Sequence, residues 1–265
     1  MGKIKKNNQL RKTDKEEEKE RGNMENVKVI LWGLGAMGGG IGKMITKKKG
    51  VDIVGAIDIG DKLGKSLYDV VPGMERGDRE DVIVGTAEEV IKPKAADIVV
   101  VCTDSFTSKV FDKLKLVMEN KMNVITSAEE MAFPQAQEPE LAKKLDEIAK
   151  ANGVSVLGTG VNPGLIMDLL VILWIGACER VDHIVSRRVN SLSPFGPAVM
   201  EEQGIGISVD EFNTRKADGS LAGHVGFAES IGMITKALGW KLDKFEQDMD
   251  PIVTDVDRKS PYGFA

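Results

Sequence analysis

The chain has 265 residues, 42% of them hydrophobic and 29% charged, with a formal net charge of −5, enough to bury a substantial core as one large or two ordinary domains. The acidic balance, with no basic face interleaved with aromatics, argues against nucleic acid as the main partner, because phosphate-binding surfaces need a basic excess. The longest apolar run, residues 165–177, is interrupted by Asp168 and is too short for a bilayer, which takes about 20 residues.

Residues 1–23 differ from the rest. They hold eight basic and five acidic side chains and almost nothing apolar, so they are expected to be a disordered extension. From Met24 onward the chain carries 28 basic against 36 acidic residues. The missing apolar segment and the abundance of acids disfavour a signal or transit peptide. Residues 15–23 can be written almost entirely in purine codons, as a translated ribosome-binding site would be, which points to a start at Met24.

Residues 27–32 form an apolar run that leads directly into Gly33, Leu34, Gly35, Ala36, Met37 and Gly38, and a second apolar run ends at Asp58, twenty positions past Gly38. This is the dinucleotide fingerprint in its βαβ setting, with a helix-compatible stretch at 36–49 between the strands. Gly33 allows the tight turn, Gly35 lets the backbone approach a pyrophosphate, and Gly38 lets the helix pack closely on its strand. The backbone from Gly33 to Gly38, Ala36 and Met37 included, is therefore expected to hold NAD or NADP. Asp58 can accept the ribose hydroxyls of NAD and repels the extra phosphate of NADP; Lys62 and Lys65 just downstream moderate that preference, so NAD is favoured only modestly.

Further strands are expected at 81–85, 97–103, 123–127 and 154–158, with helices near 107–120 and 139–152. Such alternation argues for an α/β, doubly wound parallel sheet of Rossmann type. Thr103, Asp104 and Ser105 end the fourth strand on the ligand side, where the nicotinamide half belongs; capping of the next helix explains Asp104 and Ser105 equally well. Thr86 with Glu89, and Ser127 with Glu130, read as capping boxes. A carboxylate beside the nicotinamide can relay a proton while hydride moves, so Glu129 and Glu130 are the catalytic candidates, with Glu129 preferred because capping already explains Glu130.

Asn162-Pro163 reads as a helix start for 164–179, and Asn162 is also a candidate substrate contact. Strands are expected at 181–189, 240–245 and 252–256 and a helix near 225–238. The division is therefore a dinucleotide-binding domain at 24–160 and a substrate and dimerisation α+β domain at 161–265, with the substrate cleft between them. The chain stops at 261–265 directly after a strand-like stretch, so a C-terminal truncation is expected. Of the two histidines, His183 falls in a strand and reads as structural, whereas His224 opens a helix on a glycine-flanked loop and is a candidate substrate contact. Arg187 and Arg188 would face opposite ways on a strand, and Arg188 is the one taken to hold a substrate carboxylate. Cys102 and Cys178 lack metal-ligand spacing and read as buried, reduced thiols of a cytoplasmic protein.

Four stretches together resemble the 2,4-diaminopentanoate dehydrogenases and related native amine dehydrogenases and, more distantly, dihydrodipicolinate reductase. They are Trp32-Gly33-Leu34-Gly35-Ala36-Met37-Gly38, Asn123-Val124-Ile125-Thr126-Ser127-Ala128-Glu129-Glu130, Gly158-Thr159-Gly160-Val161-Asn162-Pro163-Gly164 and Gly223-His224-Val225-Gly226-Phe227-Ala228-Glu229-Ser230. The resemblance implies NAD(P)-dependent oxidative deamination of 2,4-diaminopentanoate to 2-amino-4-oxopentanoate and ammonia, and a homodimer when the chain is full length. It places the family's active-site glutamate on Glu129 or Glu130 without choosing between them. The rival readings are a dihydrodipicolinate reductase-like oxidoreductase, disfavoured by the absence of adjacent histidines, and a non-catalytic NAD-binding protein, disfavoured by the presence of both glutamates.

Overall fold

The computed structural model describes residues 25–191, 200–201, 203–221 and 223–255. The extension at 1–23, the start at Met24 and the last residues of the chain lie outside them. Six parallel strands form one sheet: β1 (Val27–Trp32), β2 (Val51–Ile57), β3 (Val84–Gly85), β4 (Ile98–Val101), β5 (Asn123–Thr126) and β6 (Val156–Gly158), in the order β3-β2-β1-β4-β5-β6. That order reverses direction between β1 and β4, and ligands of such sheets bind in the crevice outside the strand ends at this point.

Parallel strands buried on both faces explain why the apolar runs were legible. On β1, Ile30 and Trp32 face one core together with Val99, Val101, Leu114, Val117, Met118 and Leu145. Val29 and Leu31 face the other, with Leu34, Ala56, Leu67, Val71 and Met74. The first core is covered by α4 (Thr107–Glu119) and α5 (Pro139–Asn152), the second by α1 (Ala36–Ile45) and α2 (Leu67–Val70). The short helix α3 (Ala87–Val90) opens on the expected capping box: Glu89 N donates to Thr86 Oγ1 and Thr86 N to Glu89 Oε2.

After β6 the described residues form α6 (Leu169–Ile175), α7 (Val209–Ala217) and α8 (Phe227–Leu238). Several expectations for this part need correction. The helix placed at 164–179 is α6, only seven residues long. Residues 162–168 form turns rather than helix, with Gly164 at φ +121°, and Asp168 is the cap: its Oδ1 accepts from Leu169 N at 2.6 Å. The stretches 181–189 and 240–245, and the described part of 252–256, form no strand. Their β-branched and aromatic residues have no neighbouring strand among the described residues, and β-propensity expresses fit to a pleated surface that must first exist. His183, Arg187 and Arg188 are accordingly exposed on an irregular segment, and Cys178 is exposed rather than buried, while Cys102 is half-buried. Among the described residues no helix is long and apolar enough to cross a membrane.

Candidate functional site

The turn after β1 is shaped by its glycines. Gly33 has φ +93°, a left-handed conformation that side chains rarely adopt, and a Cβ there would lie 2.5 Å from the Cys102 carbonyl oxygen. A Cβ on Gly38 would lie 1.7 Å from the Gly33 carbonyl oxygen, so α1 starts tightly against the loop. Gly35 is the reverse: it is exposed and a Cβ on it would meet nothing within 4 Å. It is the N-cap of α1, and no side chain caps the helix. Unpaired first-turn amides with open space before them suit a pyrophosphate, so the residues present fit a dinucleotide. Ala36 and Met37 are exposed on the same first turn.

Asp58 stands at the end of β2. Its Oδ2 accepts from Leu34 N at 2.7 Å and from Lys62 Nζ at 2.8 Å, and its Oδ1 from Ile59 N at 2.8 Å. Burial alone would raise the carboxyl, but the hydrogen bond from Lys62, those from the Ile59 and Leu34 amides and the lysine charge outweigh it and hold Asp58 below its ordinary value. The glycine loop, the Asp58 carboxylate and Lys62 thus form one connected unit.

Across the switch point, Thr103 follows the end of β4, and its buried Oγ1 has no partner. Asp104 folds back on its own turn, Oδ1 accepting from Ser105 N at 3.0 Å and Phe106 N at 3.4 Å. Neither Asp104 nor Ser105 caps α4: its N-cap is Phe106, without a side-chain cap. The cap comes from the next loop, where buried Glu130 accepts from Thr107 N through Oε2 at 2.7 Å while its own amide donates to Ser105 O at 3.1 Å. The Ser127/Glu130 capping box is therefore not formed. The residues 129–132 make a 3₁₀ turn, and the Ala128 amide is taken by Thr126 Oγ1 at 3.1 Å. Glu129, half-buried, begins that turn at the ligand end of β5.

A second group assembles from distant segments. Asn162 Nδ2 lies 2.9 Å from His224 Nε2. With the amide donating, the ring accepts at Nε2 and carries its proton on Nδ1. Burial, and to a lesser extent the Arg188 charge, hold His224 below its ordinary value, which agrees with a neutral ring. The Phe227 ring packs edge-on at 4.5 Å. Asn162 Oδ1 is buried and without a partner, an acceptor suited to an amine. Two residues named separately from sequence, Asn162 and His224, are thus paired, while Arg188 stays exposed and acts on His224 only through its charge.

The first turn of α8, part of the fourth stretch that carries the resemblance, holds two polar residues given no role from sequence. Glu229 is fully buried, accepts from Gln137 Nε2 at 2.8 Å through Oε1, and has no partner on Oε2. Burial first, then the Glu130 charge, raise its carboxyl, and the result lies above the ordinary value despite the Gln137 hydrogen bond. Ser230 Oγ donates to Asp168 Oδ2 at 2.8 Å, which also accepts from Gly164 N at 2.8 Å. An acid interrupting an apolar run was the available signal for Asp168; nothing local marked Glu229. An open cleft of roughly 670 Å³ between the 134–136 turn and α8, lined by Phe133, Gln137, Lys236 and Trp240 among others, contains none of the residues expected to carry chemistry. Among the described residues no group of three or more His, Cys, Asp or Glu is placed to hold a metal ion.

Over 243 residues the chain is 69% identical to a 2,4-diaminopentanoate dehydrogenase of Acetoanaerobium sticklandii, a match that spans 91% of this chain and 69% of that protein. The chain belongs to the 2,4-diaminopentanoate dehydrogenase family. Residues 165–265 match the 2,4-diaminopentanoate dehydrogenase C-terminal domain, so the 2,4-diaminopentanoate dehydrogenase likeness includes the part that follows the Rossmann sheet. Among solved structures, an amine dehydrogenase from Mycobacterium smegmatis superposes with a TM-score of 0.74 at 26% identity, covering 90% of this chain and 69% of that one. The 2,4-diaminopentanoate dehydrogenase family thus shares its architecture with an enzyme named for amine oxidation.

Proposed function

We propose that this chain catalyses the reversible oxidative deamination of 2,4-diaminopentanoate to 2-amino-4-oxopentanoate and ammonia, with NAD or NADP as the hydride acceptor. The observation that carries the reading is the 69% identity to a 2,4-diaminopentanoate dehydrogenase over 91% of the chain, and the site geometry is consistent with it. When bound, the nicotinamide supplies the hydride-accepting carbon. The protein's share is positioning and proton handling: the Gly33–Gly38 backbone, with Ala36 and Met37, holds the pyrophosphate, Asp58 the ribose, and Thr103, Asp104 and Ser105 flank the nicotinamide.

Hydride loss from the substrate leaves an iminium, which water attacks before ammonia departs. Glu129 is the residue we assign to take the proton from that water and to manage the amine proton. Glu130 is committed to the Thr107 amide and serves to position the loop that carries Glu129. Arg188 receives the substrate carboxylate, while Asn162 Oδ1, its amide held by neutral His224, receives the amino group that does not react. In this reading the substrate segment begins near residue 160, and two copies associate in the cytoplasm as a homodimer; light scattering tests the pairing.

An absorbance assay at the NADH band, run forward with diamino acids and simple amines and backward with ketones plus ammonia, tests the function. Turnover of 2,4-diaminopentanoate above that of simple amines is expected. Turnover of a dihydrodipicolinate analogue instead, or dinucleotide binding with no amine oxidation at all, overturns the reading.

A further inference from the structure

The ion pair at the end of β2 has a consequence for which phosphates the cleft admits. In a Rossmann sheet the acid at this position accepts the 2′-hydroxyl of the adenosine ribose and repels a 2′-phosphate. Here Asp58 does not stand alone. Lys62, on the 3₁₀ turn Gly60–Lys62, places its ammonium 2.8 Å from Asp58 Oδ2 and 3.2 Å from the Leu34 carbonyl. Its charge is therefore fixed between the ribose-binding acid and the glycine loop. An ammonium has three donors, and two are used by these contacts. Lys65 is a poorer candidate: it is exposed, and its nearest carboxylate, Asp61, is 3.9 Å away and more exposed still.

We propose that Lys62 is the residue that makes the cleft accept the 2′-phosphate of NADP as well as the free ribose of NAD. With NAD bound, the ammonium stays on Asp58 and leaves the carboxylate to the ribose hydroxyls. With NADP bound, it bridges the carboxylate and the 2′-phosphate, so the two anions share one cation. A lysine suits this exchange because its charge is compact and its four-carbon stem flexible. The assignment rests on the dinucleotide reading of the glycine loop and adds to it the residue that sets the choice of cofactor.

Calorimetric titration of NAD and NADP into wild type, Lys62→Gln, Lys62→Arg and Lys65→Gln, without substrate, tests it. Removing a charge-assisted contact to phosphate is expected to lower the NADP-to-NAD affinity ratio about tenfold or more in Lys62→Gln. Lys62→Arg should keep the ratio within a few-fold and Lys65→Gln should move it less than Lys62→Gln. The wild-type NADP-to-NAD affinity ratio should also fall with added salt, because this part of the cleft is partly open to solvent. An unchanged ratio in Lys62→Gln, or wild type that binds NAD but not NADP, overturns this assignment while leaving the dinucleotide site intact. Wild type that binds neither overturns the dinucleotide reading and the assignment with it.

Discussion

Glu130 and Thr107, twenty-three residues apart, are joined by a 2.7 Å hydrogen bond from the Thr107 amide to Glu130 Oε2. The carboxylate of one nicotinamide-side loop thereby caps the helix that leaves the other. Together with the Ser105 carbonyl that receives the Glu130 amide, it fixes the two loops against each other, and Glu129, the residue we propose for the chemistry, begins the same 3₁₀ turn.

Glu129→Gln should lower kcat by about 10²–10⁴-fold, the range for losing a general base, with little change in melting temperature. Glu130→Gln keeps an acceptor for the Thr107 amide and should retain most turnover, whereas Glu130→Ala should cost about 1.5–3 kcal/mol of stability, the range for a hydrogen bond to a charged group. Steady-state rates and thermal melts of the three variants separate the roles. A larger loss of kcat in Glu130→Gln than in Glu129→Gln would reverse the assignment.

Asp58→Ala is expected to weaken NAD binding about tenfold or more and NADP binding less, since the substitution removes an anion next to the 2′-phosphate and releases Lys62. Titration of both cofactors checks this. Equal losses would mean that Asp58 matters only through the glycine loop, whose Leu34 amide it holds.

Arg188→Ala should raise KM about tenfold or more for a substrate carrying a carboxylate and leave simple amines unaffected, with kcat little changed. Comparing 2,4-diaminopentanoate with an amine of similar length that lacks the carboxylate is the measurement. A uniform effect on both would place Arg188 away from the carboxylate.

Glu229 predicts a pH dependence of stability. Its carboxyl is raised above the ordinary 4.5 by burial, with the Glu130 charge adding to it, so the folded chain binds this proton more tightly than the unfolded chain. The corresponding stabilisation is present in full below the unfolded value and is lost as pH rises through the raised folded value. Glu229→Gln stays neutral and keeps a partner for Gln137. Its melting temperature relative to wild type should therefore be higher at about pH 8 than at about pH 4. A difference that shrinks with rising pH would show that Glu229 is charged and stabilised where it stands.

The Rossmann half was legible because its strands are buried on both sides: the runs ending at Trp32, Ile57, Val101 and Thr126 are apolar for reasons that do not depend on distant neighbours. The tight turn at Gly33 and the close helix start at Gly38 follow from local backbone requirements and were legible the same way. The Ser127/Glu130 pattern misled because a capping box and a long-range cap use the same residue types, and only the tertiary partner, Thr107, distinguishes them. Beyond residue 160 the sequence suggested strands around Val185 and Phe245 because β-branched and aromatic residues suit a sheet, yet no ladder partner lies among the described residues. The pairing of Asn162 with His224 was not visible in the sequence, since it depends on the turn after β6 and on where α8 begins.

Gly226, with φ +117°, is packed so closely on Pro163 that a Cβ would lie 2.4 Å from the proline ring. This contact fastens the entrance of α8 to the turn that carries Asn162, and the Ser230–Asp168 bond fastens the same helix to the other end of that turn. The amide we assign to the substrate and the imidazole that holds it are therefore tied together although sixty-two positions separate them. A bulkier residue at position 226 would push the two apart together with their supports, so the chain would lose its grip on the amine without losing a single group that touches it.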